Sequence, residues 1–177
     1  ITTRLVGSEM CIRDSIYGEK MVKILFICHG NICRSPMAQM ILDNYIKTNK
    51  LENQISVESM ACSSEEIGNS IYLPAKKCLI NHNIPILRHK ATRFESYYYD
   101  EYDYIISMDK SNINRLNLIK EDTKGKYRLL FSFKRQDKAV ADPWYTRDFE
   151  RTYLDLVEGI EGLITYLKRY KKIKVEE

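Results

Sequence analysis

A chain of 177 residues with 44% hydrophobic content has the size of one compact domain and is short for two. Its 28 basic and 24 acidic residues leave a net charge of +4, too small an excess for a protein whose main task is gripping nucleic acid. No apolar run approaches the roughly 20 residues that cross a bilayer, and the start of the chain lacks the order of a secretory signal, so no membrane association and a cytoplasmic location are expected.

Residues 1–20 carry neither a helical nor an alternating apolar pattern, and strong structural signals begin after Met21. The stretch from Val6 to Ser15 resembles translated sequencing-adaptor read-through, so residues 1–20 are expected to be a non-native or disordered extension, with the domain over 21–172 and a short tail over 173–177.

Val22 to Ile27 is an apolar, β-branched run that fits a buried strand, and the loop after it opens into a helix. Ser35 is a candidate cap and Pro36 suits the first helical position. Met37, Met40, Ile41 and Tyr45 share a face, and the helix should reach about Asn49. Ile55 to Ser59 reads as the next strand, and Pro74, Ala75, Cys78, Leu79 and His82 mark a second helix.

A third buried strand is expected over Tyr104–Met108, then a cap at Asp109 or Ser111 and a short helix bearing Ile113 and Leu116. Lys126 to Phe133 supplies a fourth strand, and Phe149 to Leu167 places eight apolar residues on one face of a terminal helix that Gly159 and Gly162 weaken. The tyrosines at 97, 98, 99, 102 and 104 read as packing residues. Alternation of strand and helix implies an α/β domain, a parallel sheet covered on both faces, with ligands at the carboxyl ends of the strands. Cys28 lies at such an end.

Five cysteines without paired short spacings argue against a disulfide framework and a four-ligand zinc site. One of them opens the loop Cys28-His29-Gly30-Asn31-Ile32-Cys33-Arg34-Ser35, whose Cys-x5-Arg spacing brings a thiol and a guanidinium to the ends of a loop short enough to curl around a tetrahedral anion. Loop amides and the first turn of the following helix would supply partial positive charge, and Arg34 a bidentate fork. Thiols at helix starts and beside cations ionise readily, which makes Cys28 a candidate nucleophile. Gly30 and Asn31 sit where positive φ is easiest. A nucleotide-binding loop is excluded, because Gly-x4-Gly-Lys-Ser/Thr is missing.

The loop, together with Asp142-Pro143 downstream, resembles the low-molecular-weight protein tyrosine phosphatase family. The resemblance runs from about Met21 to Tyr170 through Val57-Glu58-Ser59, Glu66-Ile67-Gly68-Asn69, His82-Asn83-Ile84-Pro85, Ser107-Met108-Asp109-Lys110-Ser111-Asn112 and Asp142-Pro143-Trp144-Tyr145. It implies a single domain of the phosphotyrosine phosphatase I-like fold with a four-stranded parallel sheet, and no metal or organic cofactor. It also implies a Cys28 nucleophile, Arg34 and loop amides around the phosphate, and Asp142 as general acid and then base. Asn31, Ser35, Ser59 and His89 would steady the loop, and Cys33 would shield Cys28 from oxidation by a reversible disulfide.

Glu65, Trp144 and Tyr145 would wall the substrate cleft, while Met60 and Cys62 depart from the residues usual after the strand serine. The expected partner is a phosphotyrosine protein or a small aryl phosphate, with the chain a monomer or weak dimer. Rival readings on the same scaffold are an arsenate reductase, which needs a closely placed cysteine pair, and a protein-arginine phosphatase, for which the resemblance points to threonine at the position of Ile32.

Overall fold

The computed structural model describes residues 20–170 and 172–175; the expectation for the N-terminal extension falls almost wholly outside them. Strands β1 (Val22–Cys28), β2 (Ile55–Ala61), β3 (Tyr104–Ser107) and β4 (Tyr127–Leu129) form one sheet in the order β2-β1-β3-β4, and every pairing is parallel. Helices α1 (Arg34–Thr48), α2 (Leu73–Asn81), α3 (Lys110–Ile119), α4 (Pro143–Thr146) and α5 (Phe149–Arg169) fill the connections, with short 3-10 turns at Ser96–Asp100 and Leu130–Lys134. Among the described residues no helix is long and apolar enough to cross a membrane.

β1 is an unbroken apolar run because both of its faces are covered. Ile24, Phe26 and Cys28 face the larger core with α1 and α5, whereas Leu25 and Ile27 face a second cluster with Phe94, Tyr99, Ile105 and Leu116. The chain leaves β1 toward β2 on one side and is met by β3 on the other. The sheet therefore reverses its winding beside β1, the point in an open parallel sheet where a crevice opens at the carboxyl ends. Cys28 ends β1 there, opposite Ala61 of β2.

Most expected elements are present, with three differences. The run 126–133 is not one strand: three residues pair with β3, and the chain then tightens into a 3-10 turn that buries Leu130 and Phe131 in succession, which an alternating strand cannot do toward one face. Ser35 does not cap α1; Cys33 occupies that position without a side-chain cap, and the Ser35 hydroxyl turns into the loop. Asp109 does cap α3, accepting from the Asn112 amide. Ile173, at the start of the expected tail, is buried in the main core, and Gln54 exchanges hydrogen bonds with Lys174.

The two glycines of α5 are explained by close approach. A Cβ at Gly159 would collide with the Leu130 side chain and one at Gly162 with the Lys134 stem, so the missing side chains let the 3-10 turn lie directly on the helix. Leu130 is fully enclosed and cannot yield, whereas the half-exposed Lys134 can swing away. Gly159→Ala is therefore expected to lower unfolding stability by about 1–3 kcal/mol through overpacking, and Gly162→Ala by less, as read from urea denaturation midpoints.

Candidate active site

The loop between β1 and α1 folds around the Cys28 sulfur because Asn31 takes a left-handed conformation, with φ of 58°, which turns its backbone amide back onto that sulfur at 3.2 Å. Asparagine is among the few side chains that adopt this region readily. Gly30, the other residue expected there, does not have positive φ; a Cβ on it would sit 3.0 Å from Glu66 Cγ, so it serves close packing instead. The Ser35 hydroxyl lies 3.0 Å from Cys28 Sγ. Two polar groups thus converge on a buried sulfur, the environment that a sulfur anion requires.

The expected supporting residues all meet at Asn31. Its Nδ2 donates to Ser35 Oγ and Ser59 Oγ, both at 2.9 Å, and its Oδ1 accepts from the Thr92 amide at 3.1 Å. Its carbonyl oxygen accepts from His89 Nε2 at 2.7 Å, so the proton of the neutral ring resides on Nε2. Ser59 in turn donates to Gln39 Oε1 at 2.6 Å. Burial lowers the affinity of His89 for a second proton, against the pull of the Asn31 carbonyl.

Arg34, 4% exposed, reaches back from the first turn of α1 and divides its guanidinium between two carboxylates: Nη1 donates to Asp109 Oδ2 at 2.6 Å and Nη2 to Asp142 Oδ2 at 2.7 Å. Burial opposes its charge, but Cys28, Asp142 and Asp109 more than offset this and hold Arg34 above the ordinary arginine range. Burial likewise works against the Asp109 charge, yet hydrogen bonds from Ser111, Arg34 and the Asn112 amide leave its carboxyl below the usual range. Asp142 caps α4 by accepting from the Trp144 amide at 3.0 Å, which fixes one oxygen while the other faces Arg34. Pro143 at the first helical position suits this short turn.

These groups floor a cleft of about 450 Å³. Cys28, Gly30, Ile32 and Cys33 of the loop line it, with Glu66 and with Glu65 and His29, hydrogen bonded at 2.9 Å. Trp144 and Tyr145 line it as well, Tyr145 being 82% exposed, and the Trp144 ring is braced against Tyr72 at 5.8 Å. Burial and the neighbouring Cys28 push the Cys33 thiol up to about 12. Asp109, Ser111 and Arg115 also line the cleft. The sequence offers Asp109 and Ser111 as helix caps and as part of the Ser107–Asn112 stretch that carries the family resemblance, without a role in the cleft, and does not single out Arg115, Gln39 or Thr92. Both signals point to Asp109 at the end of a strand.

The sequence matches the model of the low molecular weight phosphotyrosine protein phosphatases over residues 23–173. The chain belongs to this family. Among relatives, the low molecular weight protein-tyrosine-phosphatase PtpA of Staphylococcus aureus is 34% identical over 155 residues, spanning 87% of this chain and 99% of that protein. Among solved structures, YfkJ from Bacillus subtilis superimposes with a TM-score of 0.81 at 31% identity, covering 86% of this chain and 98% of that one. SP-PTP, a low molecular weight protein tyrosine phosphatase from Streptococcus pyogenes, does so at 0.72 and 32%, covering 84% and 93%. This phosphatase therefore shares its single α/β domain and four-stranded parallel sheet with the family.

Because the folded protein favours neutral His89, its contribution to stability is present above the ordinary value of 6.5 and is lost as pH falls through it toward the depressed folded value. An NMR titration of the ring protons is expected to give a midpoint below 6.5 in the native protein and a normal one after unfolding.

Proposed function

We propose that this phosphatase hydrolyses phosphotyrosine through a cysteinyl-phosphate intermediate, with Cys28 as nucleophile, Arg34 and loop amides as the phosphate clamp and Asp142 as proton donor and acceptor. The observation that carries the reading is the placement of a sulfur, a buried guanidinium and a carboxylate on the floor of one cleft, the last two in contact at 2.7 Å. An entering phosphate competes with Asp142 for Arg34 Nη2, and the freed carboxylate takes up a proton from solvent and stands beside the ester oxygen as the acid.

Cys28 Sγ attacks phosphorus, the P–O bond to the phenol breaks, and the leaving oxygen takes a proton from Asp142. Water then attacks phosphorus and gives a proton to Asp142, the S–P bond breaks with its electron pair returning to Cys28, and inorganic phosphate leaves. Arg34 and the loop N–H groups bind the equatorial oxygens throughout, while Asp109 holds the guanidinium in plane. Every step uses side chains and water, so no metal or organic cofactor is called for. Trp144 and Tyr145 offer flat faces to the phenyl ring. Phosphotyrosine proteins are the substrate class, and a cytoplasmic site of action accords with this chemistry.

The rival chemistries find less support. An arsenate reductase relays electrons through two nearby thiols, but Cys62 and Cys78 belong to the cores on opposite faces of the sheet. Ile32, an apolar residue lining the cleft, favours an aryl group over a guanidinium.

Hydrolysis of p-nitrophenyl phosphate is expected to proceed in a chelator, to be inhibited by vanadate and to vanish in Cys28→Ser. Asp142→Ala should lower kcat by roughly 10²–10³-fold. Its deficit in kcat/KM should be larger for phenyl phosphate than for p-nitrophenyl phosphate, since the poorer leaving group depends more on the donated proton. Full activity after Cys28→Ser would overturn the reading.

A further inference from the structure

Three metal-ligand side chains that no catalytic step uses meet where the end of α2 packs against the start of α5. Cys78 and His82 are four residues apart, so they project from one side of α2 and its cap, and Glu150 comes from the first turn of α5. His82 Nε2 lies 2.8 and 2.9 Å from the two Glu150 oxygens, and Cys78 Sγ lies 3.8 Å from Glu150 Oε2. One sulfur, one imidazole nitrogen and one carboxylate oxygen all fall within 4.8 Å of one another. The His82 ring stacks flat on Tyr153, with centroids 3.7 Å apart and planes 12° off parallel, so its Nε2 edge is already aimed at Glu150.

We propose that Cys78 Sγ, His82 Nε2 and the Glu150 carboxylate form a zinc(II) site of three protein ligands, completed by water as fourth ligand. Thiolate, imidazole and carboxylate are all zinc donors, and zinc bonds of ~2.0–2.3 Å hold tetrahedral ligands roughly 3.3–3.6 Å apart. The hydrogen-bonded His82–Glu150 pair must open and the Cys78–Glu150 pair close by ~0.5 Å or less, and the Cys78–His82 pair, within 4.8 Å in the structure, must come to about 3.6 Å. Glu150, at a helix start and half-exposed, can move that far. On binding, the Cys78 thiol proton passes to solvent, and the neutral His82 ring carries its one proton on Nδ1, which frees the Nε2 lone pair for the metal. The resulting thiolate and carboxylate then neutralise the dication. Cys78 is buried and Glu150 open to solvent, which leaves the fourth position on the water side.

Such an ion would clamp α2 to α5 behind the loop that carries Asp142. Phe149, next to Glu150, packs on Tyr72 with ring centroids 5.9 Å apart, and Tyr72 braces Trp144. The role is therefore one of scaffolding, remote from the phosphate loop.

Cobalt(II) titrated into the full chain carrying Cys28→Ser, which removes the reactive cleft thiol as a competitor, tests the site by absorbance. The expected result is a thiolate-to-cobalt charge-transfer band that saturates at one equivalent and is erased by zinc, with zinc also raising the melting temperature. Adding Cys78→Ser should abolish the band, and His82→Ala or Glu150→Gln should weaken cobalt binding roughly tenfold or more. No band in the parent, or a band that survives Cys78→Ser, overturns the proposal. If Cys78→Ser does not fold, Glu150→Gln at the surface decides in its place, and an unchanged cobalt affinity there overturns it equally.

Discussion

The geometry of the loop between β1 and α1 rests on one buried residue, Asn31. It makes five hydrogen bonds through its amide, carbonyl and side chain, reaching Cys28, Ser35, Ser59, His89 and Thr92. Those partners belong to β1, α1, β2 and the segment that returns toward β3, so the loop is tied to every element around it. A short loop in a left-handed turn is costly to hold when its polar groups are removed from water, and full satisfaction of those groups is what makes it rigid. Rigidity matters because an anion cradle works only if its dipoles already point inward before the anion arrives.

Arg34 is the second element of the design. A guanidinium at 4% exposure would be expensive to bury alone, and the two carboxylates that flank it offset much of that cost. The partners differ in mobility. Asp109 is anchored by Ser111 and the Asn112 amide as the cap of α3, so it holds Arg34 in place permanently. Asp142, as the cap of the four-residue α4, has one oxygen fastened to the Trp144 amide and leaves Arg34 as the sole partner of the other, which suits the partner exchange proposed for it.

Around this centre the scaffold is stiff at the back and open at the front. Helices α1 and α5 cover one face of β1, Phe94, Tyr99 and Leu116 of α3 cover the other, and the glycine at 159 lets the turn after β4 press closely onto α5. The tyrosine-rich stretch fits the same pattern: Tyr99 and Tyr102 are enclosed and hydrogen bonded to Asp122 and Glu58, while Tyr97 stays at the surface. The rim, with Glu65, Trp144 and Tyr145, remains accessible to a protein substrate.

Local chemistry determined much of this by itself. The apolar run of β1, the Cys28 to Arg34 spacing, Pro36 at a helix start and the face of α5 follow from side-chain type and periodicity, which act over a few residues and can be read without coordinates. The folded chain alone decided that Ser35 turns inward rather than capping α1, that the run after Lys126 breaks into a 3-10 turn, and that Asp109, Arg115 and Gln39 reach the site or its supports. It likewise brought Glu150 to Cys78 and His82 across 68 and more positions. Contacts of that kind depend on which helix faces pack together, a property of the whole sheet and its winding, and no pattern within one segment encodes them.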